Sequence, residues 1–507
     1  MVCTKLVCTI VCCALFVSPG FIEAQEKKEE PTPAVIPTPS SAVGWALADL
    51  ALVAPSDRPF QRYIWIPSFG DKRWIAAINF TINTAVSHSS VIQLGAECAN
   101  GWLLRYDLRR LAPSPQQLAK LIQTWDSLAL QDSYFHISSS TLGVSKLPAA
   151  ILGPHLKQPE AVALAGLNLS SGGIYRGDWF IAKALSTLEG GAYYEFLQIQ
   201  RVVEKNRTPQ GVFLASLGVF EEQTKLISGD ERIAIFRSNV TSKARRADIL
   251  YGLGRRGALA TITHDISDND VQVEAHPLRN LLAFQDKARE VIVQKANGMH
   301  VFALFDNKGN FQDAVPPDIA ADHLVPAPHT KNLQPAISCI RCHGPFDGYH
   351  PLLNDVQTLL TSKLDVFTDL VDVNNSREAI IDRLAGLYSG QPDLPDAPLG
   401  RARRDYKAAV YKITQDSYPD EVSPVVAVSN HISEIYANYR YDVVSPQKAA
   451  LELGLHSLDE FVIGEGEAVD PVVGSLKAGI SVNRSDYEHV YADMALQVSL
   501  TRKKQEN

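Results

Sequence analysis

Five consecutive residues carry the clearest chemistry in this chain: Cys339, Ile340, Arg341, Cys342 and His343, inside PAISCIRCHGPFDGYHP at 335–351. Two thiols three positions apart share one side of a helical turn, so both sulfurs can bond the two vinyl groups of a single porphyrin. The imidazole that follows is placed to bind the iron. Covalent thioethers also keep such a cofactor from being lost outside a cell. The C-x-x-C-H run therefore reads as an attachment site for one covalent haem c. Cys339 and Cys342 hold the ring, and His343 is an axial ligand of the iron. Two other readings compete. Structural zinc takes four ligands, but no second C-x-x-C follows and only His350 stands close by. A redox-active dithiol belongs in a thioredoxin-like βαβ setting. Here the approach is VPPDIAADHLVPAPHTKNLQPAIS, whose prolines impose an extended path.

The sixth iron position separates a carrier from a catalyst, since two strong ligands favour electron transfer and an open face admits a small molecule. Past the leader-like start, Met299 and Met494 are the only thioethers. Met494, on the apolar side of ADMALQV, reads as core. Met299 and His300 alternate along a strand, so at most one of them faces the haem. His350 is brought back toward His343 by a loop through Asp347-Gly348, or lies at the surface. His431 and His489 sit in helical patterns. The sequence leaves the sixth ligand open, with His350, Met299 and Met494 as candidates. Elsewhere, His264-Asp265 in THDISDNDV reads as a polar turn rather than a metal pair, because no EF-hand spacing follows. No Ser-His-Asp elbow, Walker loop or dinucleotide fingerprint in its proper context is present.

The elements around the motif follow from periodicity. RWIAAINFTINTAV, 73–86, repeats its apolar residues at helical spacing. Ser114-Pro115 supplies a cap and first-turn proline for QQLAKLIQTWDSL. Asn100-Gly101 between two apolar runs predicts a hairpin, and so does Asn297-Gly298 in EVIVQKANGMHVFALFDNKGNFQDAV, with a further turn at Asn307-Lys308-Gly309-Asn310. ERIAIFRSNV and ILYGLGRRGALATITHDI predict strands. The aromatic residues of GIYRGDWFIAKAL and GGAYYEFLQI are expected in the core. Beyond the motif the pattern turns helical, in SREAIIDRLAGLYSG from Ser376, RARRDYKAAVYKI, VSNHISEIYANYRY, SPQKAALELGL and RSDYEHVYADMALQVSL. The fold expected is α+β, with a mixed N-terminal region containing β-hairpins over 44–330 and a mostly α-helical, cytochrome c-like haem region over 331–507.

The first 24 residues, with Lys5, an apolar run from Leu6 to Val17, then Ser18-Pro19-Gly20 and Ala24, have the layout of a secretory signal peptide. That run is short of the ~20 residues a bilayer span requires. Processing as a lipoprotein at Cys12 or Cys13 is the alternative. Four of the seven cysteines lie in this leader, so the mature chain keeps Cys98, Cys339 and Cys342, too few for a disulfide scaffold. Cys98 reads as a small buried residue beside a turn. Residues 25–43, rich in Pro and Glu, cannot bury enough apolar surface to offset their ordering and read as a disordered spacer. The 507-residue chain as a whole, 46% hydrophobic and 21% charged, is ordinary folded composition. A net charge of −8 disfavours nucleic acid as partner. The short basic clusters Lys243-Ala244-Arg245-Arg246 and Arg401-Ala402-Arg403-Arg404 read as solvated helix or loop faces. The expected location is periplasmic or secreted, with no transmembrane span in the mature chain.

CIRCHGP, with the upstream ANGMHVFALFDNKGN and QPAIS, resembles a group of large secreted bacterial monohaem c-type cytochrome-like proteins. In that group a strand pair with an Asn-Gly turn similarly precedes a segment ending in Ser-Cys-x-x-Cys-His. RYDLRRL, GIYRGDWFIAKA and GAYYEFL also look like it, so the resemblance extends over most of the mature chain. It implies haem binding and electron transfer, carried onto Cys339, Cys342 and His343, and it implies no substrate. The chain departs from small class I cytochromes c, which place an axial Met a short way after the motif. The function expected is electron transfer with a redox partner protein. The alternatives are a peroxidase-like haem oxidoreductase with an open distal site and a haem-bearing sensor or interaction protein.

Overall fold

A computed structural model describes residues 39–134, 173–219, 232–251, 259–265, 286–349 and 398–506, apart from short breaks within these spans. Pro37–Asn507 form one compact unit. The fold is α+β, with three sheets and a C-terminal part that is mostly helical.

The described residues begin with helix α1 (Pro39–Ala51), β1 (Gln61–Trp65), α2 (Lys72–Ala85), β2 (Leu103–Asp107) and α3 (Pro115–Ala129). It continues with β3 (Ile174–Arg176), α4 (Gly177–Ala184), α5 (Tyr193–Phe196) and α6 (Pro209–Ser216). Strands β1, β2 and β3 make a small sheet in the order β2-β1-β3, antiparallel for β1–β2 and parallel for β1–β3. The helices predicted over 73–86 and after Ser114 are present, and Ser114 Oγ accepts from Gln117 N at 3.3 Å. The cap-then-proline start recurs at Thr208-Pro209, Ser423-Pro424, Ser445-Pro446 and Asp470-Pro471, because a short acceptor satisfies an orphan N–H while proline's fixed φ begins the helix. Tyr175, Trp179, Phe180, Tyr193, Tyr194 and Phe196 are all buried, as expected of core aromatics.

The second sheet is a six-stranded antiparallel meander: β4 (Arg232–Arg237), β5 (Ala244–Tyr251), β6 (Leu259–Asp265), β7 (Ala288–Gln294), β8 (His300–Asp306) and β9 (Phe311–Gln312). The hairpin across Asn297-Gly298 joins β7 to β8, pairing Gln294 with His300, Ile292 with Phe302 and Glu290 with Leu304. Directly opposed residues share a sheet face, so Glu290, Ile292, Gln294, His300 and Phe302 look the same way. The turn at 307–310 closes as predicted, with Asp306 N donating to Asn310 O at 2.9 Å. The opposite face of the sheet packs on α6, where the rings of Phe213 and Phe305 meet edge to face at 5.6 Å.

Helix α7 (Ile337–His343) follows, then the long pair α8 (Pro398–Thr414) and α9 (Pro424–Arg440). A C-terminal cluster of α10 (Pro446–Glu452), α11 (Pro471–Lys477) and α12 (Arg484–Glu506), with the ribbon of β10 (Val443–Val444) and β11 (Val482–Asn483), has its own core. It is tied back by Arg484, which donates to Tyr134 Oη at 2.7 Å and to Glu452.

Several expectations need correction. The boundary at 330/331 does not separate two domains: one core runs from Ile64 through the sheet to Tyr439, because α9 packs on α2 and α4 as well as on α7. Residues 39–43, read as the end of the spacer, already belong to α1, where Ala42 is buried against Tyr63 and Trp65 of β1. β2 pairs with β1, and residues 93–100, with Cys98 and the first strand of the hairpin expected at Asn100-Gly101, lie outside the described residues. Ala244, Arg245 and Arg246 are in β5, not on a helix or loop. His264 and Asp265 end β6 and are buried rather than lying in a polar turn, with His264 Nδ1 2.7 Å from Asp286 Oδ2. The leader at 1–24 and the helix predicted from Ser376 lie outside the described residues.

The β7–β8 turn is wedged between helices. Gly298 has φ +85°, and a Cβ there would stand 2.7 Å from Asp405 O of α8. Lys295 donates from Nζ to Thr84 O at 2.8 Å, at the end of α2, and Asn297 Nδ2 donates to Asn83 O at 3.0 Å. Gly298→Ala combines a disfavoured backbone with a close backbone contact and is expected to cost on the order of 3 kcal/mol, read as a lower urea midpoint. Burial pushes the Lys295 pKa down to about 7, against the pull of the α2 carbonyls. The unfolded chain therefore binds this proton more tightly than the folded one between pH 7 and the ordinary lysine value, so stability falls as pH drops through that window. Thermal unfolding at pH 9.5 and 7 will show a larger loss for the wild type than for Lys295→Met.

Candidate functional site

The C-x-x-C-H residues occupy a single short helix, α7, and its placement is unusually well specified. The chain enters through Ala336 at φ 62°, ψ −79°, with Ile337 N donating to Pro335 O at 3.0 Å. This is the rare γ-turn, which a non-glycine residue adopts only where its surroundings impose it. Ala336 is buried, and the same Ile337 N–H also reaches Leu185 O of the α4 terminus at 3.2 Å. The strained entry thus docks α7 onto the N-terminal half of the fold.

Polar contacts then lock the helix. Ser338 Oγ donates to Asp322 Oδ2 at 2.6 Å, and Arg341 makes an ion pair with the same carboxylate oxygen. Both charged side chains are about 95% buried, at 4% and 5% exposure. Gln334 N donates back to Ser338 Oγ at 3.0 Å, while Gln334 Oε1 accepts from Ser186 Oγ at 2.8 Å. Its Nε2 donates to Tyr436 Oη of α9 at 3.2 Å. At the other end Gly344 lies so close to α9 that a Cβ would be 2.3 Å from Ser429 Oγ.

This docking turns the motif toward the β7–β8 hairpin. Cys339 is buried and Cys342 is exposed. Cys339 Sγ donates to Glu290 Oε1 at 3.2 Å, and His343 Nε2 is 3.4 Å from the same oxygen. The His343 ring also lies 5.9 Å from that of Phe302. Burial first, then the Glu290 carboxylate, push the Cys339 thiol pKa well up. A redox-active dithiol attacks through a low-pKa thiolate, a role this environment denies to Cys339. No group of three or more His, Cys, Asp or Glu side chains is gathered for a metal ion among the described residues.

The candidate sixth ligands separate sharply. Met494 packs in the C-terminal core, apart from the core that contains Cys339. Met299 is buried at the hairpin turn, one residue out of step with the face that carries Glu290, His300 and Phe302. His431 faces Trp74 and Tyr418, and His489 is exposed with Nδ1 2.7 Å from Ser485 O. His350 lies outside the described residues. The residue brought to the motif is His300. It is 2% exposed, and neither Nδ1 nor Nε2 has a hydrogen-bond partner among the described residues. Its ring stacks on Tyr406 at 4.3 Å and meets Tyr349 edge on at 4.5 Å. Burial, with a further contribution from the nearby His343, depresses its pKa well below the ordinary histidine value. Met299 and His300 are adjacent, and the register puts His300 rather than Met299 on the face that carries Glu290 and Phe302.

A haem c fits this donor set. Two thiols three apart share one helical turn, an imidazole adjoins them, the buried His300 has no partner for either ring nitrogen among the described residues, and the half-buried His343 has none for Nδ1. Cys339 and Cys342 would hold the ring and His343 the iron. When bound, the group supplies a reversible one-electron site. Glu290 and Phe302 would form the neighbouring wall.

No protein-family model, no curated protein and no solved structure matches this chain.

Removing the Asp322 carboxylate leaves a buried guanidinium unpaired. Asp322→Ala is expected to cost about 3–5 kcal/mol in denaturant unfolding. Ala336→Gly relieves the γ-turn, and its unfolding midpoint is expected to match or exceed that of the wild type.

Proposed function

We propose that this chain is an exported c-type cytochrome-like protein that carries one covalent haem through Cys339 and Cys342, has His343 as an axial ligand, and transfers electrons to or from a redox partner protein. The observation that carries the reading is the C-x-x-C-H run on one turn of α7, held against the β7–β8 hairpin beside the buried His300, whose ring nitrogens lack hydrogen-bond partners among the described residues. The protein's own part is positional. Asp322 and Ser338 fix the orientation of α7, and Tyr436 and Ser186 hold its entry through Gln334. Burial of Glu290 beside His343 places a carboxylate where it favours the oxidised, more positive state of an iron centre. Cys342, at the exposed side of α7, marks the edge through which an electron passes to a partner.

Export is supported by the leader-like layout of residues 1–24 and by the thioether chemistry itself, which belongs to compartments outside the cytoplasm. Among the described residues no helix is long and apolar enough to cross a membrane.

The test is the absorption spectrum of the full chain co-produced with haem-attachment machinery. After acid-acetone extraction the wild type is expected to retain a c-type spectrum, and Cys339→Ala plus Cys342→Ala to lose all of it. A wild type left colourless by extraction overturns the proposal.

A further inference from the structure

The pocket contains a feature that haem attachment through α7 does not use. His300 is 2% exposed, both of its ring nitrogens lack a hydrogen-bond partner among the described residues, and no charged group is paired with it there. A buried polar group left unsatisfied is costly and calls for an explanation, an absent ion being one of the recognised ones. Apolar packing alone does not supply it, because Phe in the same stack would avoid the cost.

Its surroundings are built rather than accidental. Gly348 comes so close that a Cβ there would be 2.1 Å from His300 Cε1, and φ +90° at Gly348 lets the segment leaving the motif fold back onto the ring. Tyr406 of α8 covers one side and Tyr349 the edge. The imidazole is thus clamped between the hairpin, the motif's own exit loop and α8. It shares a sheet face with Glu290 and Phe302, the two residues that His343 touches.

We infer that His300, delivered from β8, is the second axial ligand of the haem iron, making the centre bis-histidine and six-coordinate. This rests on the haem reading above. A neutral imidazole is a strong iron ligand, and ligation gives one orphan nitrogen a partner. The hairpin then has a chemical role: β7 contributes Glu290 to the wall, β8 contributes the ligand, and the Asn297-Gly298 turn sets the register that brings His300 rather than Met299 to the face. With both axial positions filled by protein, the centre exchanges electrons without binding small molecules.

The experiment uses the full, haem-loaded chain and two variants, His300→Ala and His300→Phe, the second keeping the stack on Tyr406. Covalent haem content is measured first, as the extraction-resistant pyridine haemochrome. Spin state then follows from electron paramagnetic resonance and absorption, and carbon monoxide is added to the reduced protein. The wild type is expected to be low-spin, to lack the far-red sulfur-to-iron band of Met ligation, and to be indifferent to carbon monoxide. Each variant is expected to keep its covalent haem, lose the low-spin signal, bind carbon monoxide promptly, and regain low spin on addition of imidazole. Without haem, His300→Phe is expected to be more stable than the wild type. A high-spin wild type that reacts with peroxide, or low spin unchanged in both variants, overturns the His300 assignment while leaving the haem reading intact. Absence of extraction-resistant haem in the wild type overturns both.

Discussion

The structure around the motif depends on one buried carboxylate. Asp322 comes from the proline-rich approach, accepts from Ser338 and pairs with Arg341, so a single side chain fixes two successive turns of α7. The approach is itself pinned, with Val315 bonded to Leu333 and Asp322 N donating to Lys331 O at 3.0 Å. An ion pair this deeply buried contributes little net stability compared with an apolar replacement, since both charges give up their hydration. What it supplies is direction. A seven-residue helix is too short to be stable alone, and without a polar lock it has several ways of lying on an apolar sheet. Only one of them turns both Cys339 and His343 toward Glu290.

The same logic extends outward. Gln334 couples the entry of α7 to Ser186 near α4 and to Tyr436 on α9, elements far apart in sequence. Helix α9 then contacts α2, α4 and α7, so the N-terminal half, the motif and the α8–α9 pair share one core. The large N-terminal region is therefore part of the wall of the site and not a separate module appended to a small cytochrome.

Local features were legible in the sequence because they rest on local physics. Periodicity and capping mark α2 and α3, Asn297-Gly298 marks the β7–β8 hairpin, and the C-x-x-C-H spacing marks α7. What failed depends on contacts distant in sequence. The division at 330 seemed natural where strand patterns give way to helical ones, yet the packing of α9 across α2 and α4 leaves no trace in composition. His264-Asp265, at a strand end beside a polar run, carries the residue types of a turn, and its burial comes from pairing with Asp286 twenty-two positions away. His300 is intermediate. Alternation allowed at most one of it and Met299 to face the motif, but the clamp by Gly348 and Tyr406 is visible only in three dimensions.

The burial of Cys339 bears on when its sulfur can react. In the folded chain its sulfur is buried against Glu290 of the hairpin while Cys342 stays open, so any reagent acting on both would have to meet the chain before the fold closes over Cys339. Chain order provides such an interval. The strands through β8 precede the motif, and α8 and α9, which close over His300 and against Gly344, come later. During N-to-C emergence the sheet face is thus available as a platform before its cover exists. A circular permutant with α8 and α9 ahead of β7 would present the same contacts in the opposite order, with the lid in place before the thiols arrive.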